Sequence, residues 1–218
     1  MAKFSSDVDI LKYEPILFGE LHLSGQVVAQ GIGGSISGTV FTASGADFVS
    51  AGVVAGGVVY LRSSDGSLDG GYEIVSVDSA TQLSVSVVRA ESSDSAVAPP
   101  AGSSITYRVC VYDPQANEAG FQLTEYFGIA PGNPASDVDA DDILDTNVLR
   151  RASVFLVLSS VYAMLASRSK DENLWEKSHY YRKSFEKARQ RCRLSIDVGS
   201  DGVSDIGMLG GSVRLVRD

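Results

Sequence analysis

The chain has 218 residues, 44% of them hydrophobic and 21% charged, a formal net charge of −9 and two cysteines, Cys110 and Cys192. That composition suits one large or two small folded domains with a buried core, and it excludes a disordered tail or a disulfide-stapled mini-domain. The opening MAKFSSDVDILKYEP lacks a basic-then-apolar signal pattern. The longest apolar stretch, Ala152 to Ala166, falls short of the roughly 20 residues a bilayer requires, so the expectation is a cytoplasmically made protein outside the membrane.

In chain order, Asp7 to Tyr13 predicts one or two helical turns ended by Pro15. Residues 20–112 read as strands: GELHLSGQVV, SISGTVFTA, GGVVYLR, YEIVSV, QLSVSVV and SITYRVCVY are rich in Val, Ile, Thr and Tyr. Turn residues separate them at Gly33-Gly34, Ser44-Gly45, Asp65-Gly66, Gly70-Gly71 and Asp78 to Thr81, and Glu91 to Ser104 reads as a longer loop. Six short strands at this spacing predict a small antiparallel barrel or sandwich. Gly31, Gly33 and Gly34 do not make a dinucleotide fingerprint, because Ile36 stands where its third glycine belongs and no helix follows.

The period then changes. Asp113-Pro114 predicts a helix start and Gly128 a stop, with Ala116, Ala119, Leu123 and Phe127 on one face. Ser136 and Asp139 offer a capping box for a long helix through Ser167. On it Leu144, Val148, Phe155, Tyr162 and Leu165 form a stripe, and Val154, Leu156, Leu158 and Val161 lie off that stripe. A helix apolar on more than one side is buried on more than one side, which assigns these last four residues to an interface with another copy of the chain. Ser169 and Glu172 predict the start of a final helix, Lys170 to Leu194, with a seam of Leu174, Ser178, Tyr181, Phe185, Ala188 and Cys192. Lys177, Lys183, Lys187, Arg189 and Arg191 line much of the rest, and Trp175 beside the seam is expected in the core. The tail from Ser195 has no helical period and reads as an arm that orders on a partner; deleting 207–218 should leave the helices intact.

Charge is uneven along this order. Met1 to Leu149 holds five basic and nineteen acidic residues, whereas Arg150 to Leu194 holds eleven basic and four acidic ones. The basic stretch faces nucleic acid or an acidic neighbour, or is the solvated side of a helix.

No catalytic constellation emerges. His22 and His179 sit near no motif and no GxSxG elbow is present; Cys110 and Cys192 read as buried small hydrophobes. Asp197, Asp201, Gly202 and Asp205 resemble a calcium loop only in part, with Gly199 and Met208 where ligands belong, so no metal and no cofactor is expected. Phe41, Phe48, Tyr60, Tyr72 and Tyr107 could serve a glycan site, but fall at strand positions a core would also claim.

The runs TNVLRRASVFLVLSSVYAMLA and DENLWEKSHYYRKSFEKARQRCRLSIDVGSDGVSD, then RLVR, together with the earlier YDPQANEAGFQLTEYFGI and DVDILKYEP, resemble head-to-tail adaptor (connector) proteins of tailed bacteriophages. The match covers Asp113 to Asp218 and the N-terminal stretch, about half the chain; the β segment departs from the compact members. The resemblance implies an α+β chain: an antiparallel helical bundle from residues 1–15 and 113–194, a small antiparallel β-barrel or sandwich inserted at 16–112, and an extended C-terminal arm at 195–218. It implies a structural virion protein rather than an enzyme, a homo-oligomeric ring, commonly a dodecamer, beneath the portal. Such a ring extends the DNA channel without sequence-specific binding and docks the tail or tail-completion proteins. By the same analogy Ser212, Val213, Arg214, Leu215, Val216 and Arg217 would contact the portal protein. Assembly would take place in the bacterial host cytoplasm, and the protein would end at the head-tail interface of the virion. The alternative is a phage tail, baseplate or surface module whose β domain recognises a glycan or protein.

Overall fold

A computed structural model describes residues 3–129 and 138–210. The chain divides into two compact units, Ser6–Tyr112 and, together with Met1–Ser5, Asp113–Asp218.

The first unit is built on six strands: β1 (Val27–Ser37), β2 (Val40–Thr42), β3 (Val58–Arg62), β4 (Asp69–Ser79), β5 (Gln82–Ser86) and β6 (Gly102–Cys110). They pair antiparallel in the order β1-β2-β5-β4-β3-β6, and β6 returns to β1 to close a barrel. The alternation seen in the sequence sets the faces: Leu83 and Val85 of β5 point inward, while Gln82 is exposed and Ser84 half-buried. Closing so few strands requires sharp bending, and the two longest, β1 and β4, carry it through register shifts at Val27/Ala29, Gly31/Gly34 and Ile74/Ser76. The glycines of β1 make room for rings. A Cβ on Gly31 would lie 2.8 Å from the Tyr107 ring, and one on Gly34 2.7 Å from Phe41.

Phe41, Phe48 and Tyr107 pack against one another with centroids 5.5 to 6.3 Å apart, among Val59, Leu61 and Ile74. Glu73 and Arg89 form a buried pair at 2.7 Å, and Arg89 Nη1 also donates to the Asp94 carbonyl at 2.6 Å, tying down the loop after β5.

GELHLSG is not a strand. It runs through turns into a short 3-10 turn at Ser24–Gln26, held by Arg108 Nη1 donating to the Gly19 carbonyl at 2.8 Å. Helix α1 (Asp7–Leu11), capped by Ser6 and Asp9, falls within the barrel's unit rather than with the other helices. The Asp7 carboxylate accepts the Tyr112 backbone N–H at 2.9 Å, and Tyr112 Oη donates to the Leu17 carbonyl at 2.7 Å.

The second unit contains α2 (Asp113–Tyr126), α3 (Asn147–Ser169), α4 (Glu172–Gln190) and a hairpin of β7 (Arg193–Ile196) and β8 (Ile206–Leu209). α3 starts eleven residues after Ser136, which lies outside the described residues; Asp139 and Asp142 shape a turn ahead of it. α3 ends at Lys170 in a left-handed conformation, and Asp171 caps α4 through the Asn173 N–H at 2.9 Å. Ser169, expected at that cap, donates instead to the Leu165 carbonyl. α3 and α4 interlock by two reciprocal bonds, Ser178 Oγ to the Ser159 carbonyl at 2.9 Å and Ser159 Oγ to the Ser178 carbonyl at 3.1 Å.

The expected fold class is overturned. The molecule is a mixed α/β protein with a closed six-stranded antiparallel barrel and three long helices, not a helical bundle with a small β insert. Nor is the region after Leu194 an extended arm as far as Gly210. β7 and β8 pair over four residues, Ile143 bridges Ile196, and Gly210 N–H donates to the Cys192 carbonyl at 2.9 Å. The backbone donors and acceptors of an extended chain are satisfied within the subunit this way.

The interface assignment on α3 is corrected too. Val154, Leu156, Leu158 and Val161 are 1%, 2%, 0% and 0% exposed in the single chain, so they have no surface left to give a neighbour. α2 packs on one part of α3 and α4 on another, which accounts for a helix apolar on several sides. With 23 residues and a most apolar window of mean hydropathy 1.5, α3 is also long and apolar enough to cross a membrane, although 67% of that window is buried inside the chain.

Candidate functional site

The basic stretch of the sequence becomes one groove in the helical unit. α3 contributes Arg151 and Phe155, α4 contributes Tyr180 and Lys187, Arg191 follows at the end of α4, and β7 contributes Arg193, around a cavity of about 480 Å³. Residues four apart on a helix share a face, which brings Arg151 over Phe155 and stacks Tyr180, Ser184 and Lys187 along one side of α4. The Arg151 guanidinium lies 5.3 Å from the Phe155 centroid, and Phe155 in turn meets Tyr181 at 6.0 Å, so the floor is aromatic and fixed.

Arg151, Lys187, Arg191 and Arg193 are exposed, and among the described residues none of them pairs with a carboxylate. Lys187 lies in the last turn of α4, where the helix dipole already favours a cation; this does not account for Arg151 at the other helix or Arg193 on the strand. Arg189 turns away to stack on Tyr126 at 3.8 Å and on Phe185 at 5.1 Å, which makes it part of the packing. Cys192 closes one end, its thiol donating to the Val148 carbonyl at 3.2 Å, and burial raises its pKa. Such a groove can hold anionic groups and cover apolar ones; among the described residues no hydroxyl or thiol lining it is hydrogen-bonded to a basic side chain.

A second concavity, about 580 Å³, lies on the barrel among Glu20, His22, Tyr60, Arg62, Thr106 and Arg108. Its polar groups largely satisfy one another. His22 Nδ1 lies 2.9 Å from the Gly19 carbonyl, Tyr60 Oη donates to Asp69, and Arg62 lies 3.8 Å from Asp69. Burial and the hydrogen bond to Asp69 push the Tyr60 phenol up to about 12. The Arg108 Nε is buried without a partner. His179 stacks beside Trp175, centroids 6.3 Å apart, and among the described residues neither histidine shares a hydrogen bond with a hydroxyl or thiol.

Of the other residues singled out in the sequence, Phe41, Phe48 and Tyr107 are inside the barrel and cannot offer a glycan a stacking surface, whereas Tyr60 and Tyr72 are only half-buried. The acidic turn uses its carboxylates on its own backbone. Asp197 accepts the N–H groups of Asp201 and Gly202, at 3.2 and 2.7 Å, and Asp205 those of Val198 and Gly199, at 2.9 and 3.1 Å. Among the described residues no three His, Cys, Asp or Glu side chains gather as a metal site requires. Trp175, expected in the core, is 40% exposed. Ser212, Val213, Arg214, Leu215, Val216 and Arg217 lie outside the described residues.

The charge count marked the region of the groove, but not that two helices and a strand would converge there. The pairing of β7 with Ile143, which places Arg193, spans over fifty residues of sequence and has no local signal. In comparison with known proteins, the chain matches no family model, no curated protein and no solved structure.

Proposed function

We propose that this chain is a structural virion protein, a head-to-tail adaptor that forms a ring below the portal of a tailed bacteriophage, extends the DNA channel and docks the tail. The observation that carries this reading is the run through α3, α4 and the Asp/Gly turn after β7, whose Arg-Arg-Ala, Trp-Lys-Tyr-Phe and acidic-turn order resembles that family. The exposed, unneutralised cations of the α3/α4 groove on a chain of net charge −9 give further support, because such a surface is built to meet an acidic protein face. In this proposal the role is structural, as the resemblance implies, with the groove and the barrel concavity serving to bind and position. An acidic protein also passes DNA through a channel without holding it.

The test is native mass spectrometry or electron microscopy of the full chain mixed with the portal protein of the phage that encodes it. The expected result is a closed ring of copies on the portal. A chain that ignores the portal at every ratio overturns the reading. A second arm uses a chain ending at Gly210, which keeps β8 in place. Loss of portal binding there assigns the contact to residues 211–218. The larger deletion of 207–218 removes three of the four β8 residues and would confuse unfolding with loss of the arm.

A further inference from the structure

The groove on the helical unit has a fitting occupant within the same sequence. Between Asp113 and Leu149 there are eight acidic residues and no Lys or Arg. Three of these, Asp139, Asp141 and Asp145, are exposed on the segment that leads into α3, and beside them Leu144 is 45% exposed. The segment is not loose. Ile143 bridges Ile196, Leu144 N–H donates to the Ser195 carbonyl at 3.0 Å, and the Asp142 carbonyl accepts the Asp197 N–H at 2.9 Å. It therefore presents carboxylates and one apolar side chain in a fixed order, which lowers the entropy lost on docking.

Within one subunit this segment leaves the groove cations unanswered. Asp142 accepts the Asp139 N–H at 2.7 Å and Asp145 the Asn147 N–H at 2.9 Å, while Arg151, Lys187, Arg191 and Arg193 pair with no carboxylate among the described residues. We infer that the groove of one copy receives the Asp139–Asp145 segment of a second copy, its carboxylates answering the four cations and Leu144 covering the aromatic floor of Phe155 and Tyr180. Tyr180 is 65% exposed, a large apolar surface that this contact removes from water.

Other occupants fit less well. The chain's own residues 211–218 carry Arg214 and Arg217 against Asp218, the same sign as the groove. A nucleic acid backbone would have to approach a chain of net charge −9 beside the exposed Asp139, Asp141 and Asp145. Because the groove and the segment are separate patches, the contact can run head to tail from copy to copy, as a ring requires. The inference deepens the adaptor reading and rests on it for the closure of that assembly into a ring.

Two charge-reversal variants test it: Arg151→Glu with Arg191→Glu, and Asp141→Lys with Asp145→Lys. All four positions are exposed, so each variant is expected to keep the wild-type circular dichroism spectrum. Sedimentation of the wild type at about 100 µM should show self-association that weakens at least about tenfold as salt rises from about 50 to 500 mM. Each variant alone should be monomeric. An equimolar mixture should assemble again, because the intact groove of one variant meets the intact acidic segment of the other and the reversed groove meets the reversed segment.

Variants that assemble like the wild type, or a wild type still monomeric at about 1 mM, overturn the inference. So does a groove variant that loses binding to a duplex DNA oligonucleotide held by the wild type in the same buffer, since the groove then belongs to nucleic acid. The two readings fail separately. A groove variant that still forms rings on the portal defeats the inference alone, and a chain that associates through the groove but ignores the portal defeats the adaptor reading alone.

Discussion

The barrel unit and the helical unit bury their apolar side chains by different means. In the barrel, residues neighbouring in sequence alternate across a sheet that closes on itself, and the interior is filled by Phe41, Phe48, Tyr107 and aliphatic side chains from every strand. In the helical unit the fastenings are long-range: Ser159 with Ser178, Ile143 with Ile196, Tyr126 Oη with the Gly210 carbonyl, and Ser5 with Ser153 at 2.8 Å. The difference shows in the outer surfaces. On the barrel Arg89 is paired with Glu73 and Arg62 lies near Asp69, whereas in the helical unit Arg151, Lys187, Arg191 and Arg193 pair with no carboxylate among the described residues.

The largest expected effect breaks the barrel's side of this contrast. Phe41→Ala removes a fully buried ring that touches two others and should cost about 3–5 kcal/mol in urea unfolding followed by circular dichroism. A loss below about 1 kcal/mol would mean that the interior is looser than a filled barrel. Glu73→Gln, which leaves the buried Arg89 guanidinium half-answered, should cost about 2–3 kcal/mol by the same measurement, with faster amide exchange in residues 89–97.

On the helical side, Gly210→Ala would set a Cβ 1.9 Å from the Arg189 carbonyl oxygen, a contact with backbone that no rotamer relieves. About 1–3 kcal/mol of destabilisation should follow, with loss of amide protection concentrated in β7 and β8; unchanged protection there would refute the docked hairpin. Ser178→Ala should cost about 1 kcal/mol, as one of the two reciprocal bonds to α3 is lost and the Ser159 carbonyl is left without its donor.

The remaining effect appears only at alkaline pH. Burial pushes the Cys110 thiol up to about 12 from an ordinary thiol value near 9. A folded-state pKa raised in this way gives a contribution to stability that is complete below the unfolded value and is lost as pH rises through the folded one. Stability should therefore fall between about pH 9 and 12, and Cys110→Ala should flatten that fall. Both thiols should react slowly with an aromatic disulfide reagent until the chain unfolds; fast reaction of Cys110 in the native protein would show an open barrel wall.

The strands, their turns, the start of α2 and the course of α4 were readable because each rests on local signals: alternation over five residues, Asp-Pro at a helix start, apolar residues at three- and four-residue spacing. The β1 glycines were visible as a motif but not as a cause, since what they accommodate, Tyr107 and Phe41, arrives from β6 and β2. The start of α3 was misplaced because Asp139 and Asp142 cap their own turn well before the helix begins. The cationic character of 150–194 was legible as charge and became a groove only when Arg151, Tyr180 and Arg193 converged from three elements.

The sequence by itself determined most of the barrel's strands, the start of α2, the course of α4 and the concentration of positive charge in one segment, because propensity, periodicity and charge are properties of neighbouring residues. Only the tertiary structure decided that the barrel closes, that Val154, Leu156, Leu158 and Val161 are consumed inside one copy, and that the tail folds back as β7 and β8. Those outcomes depend on which distant surfaces meet. An apolar face records that it must be covered, and carries no mark of whether the cover comes from the same chain or another.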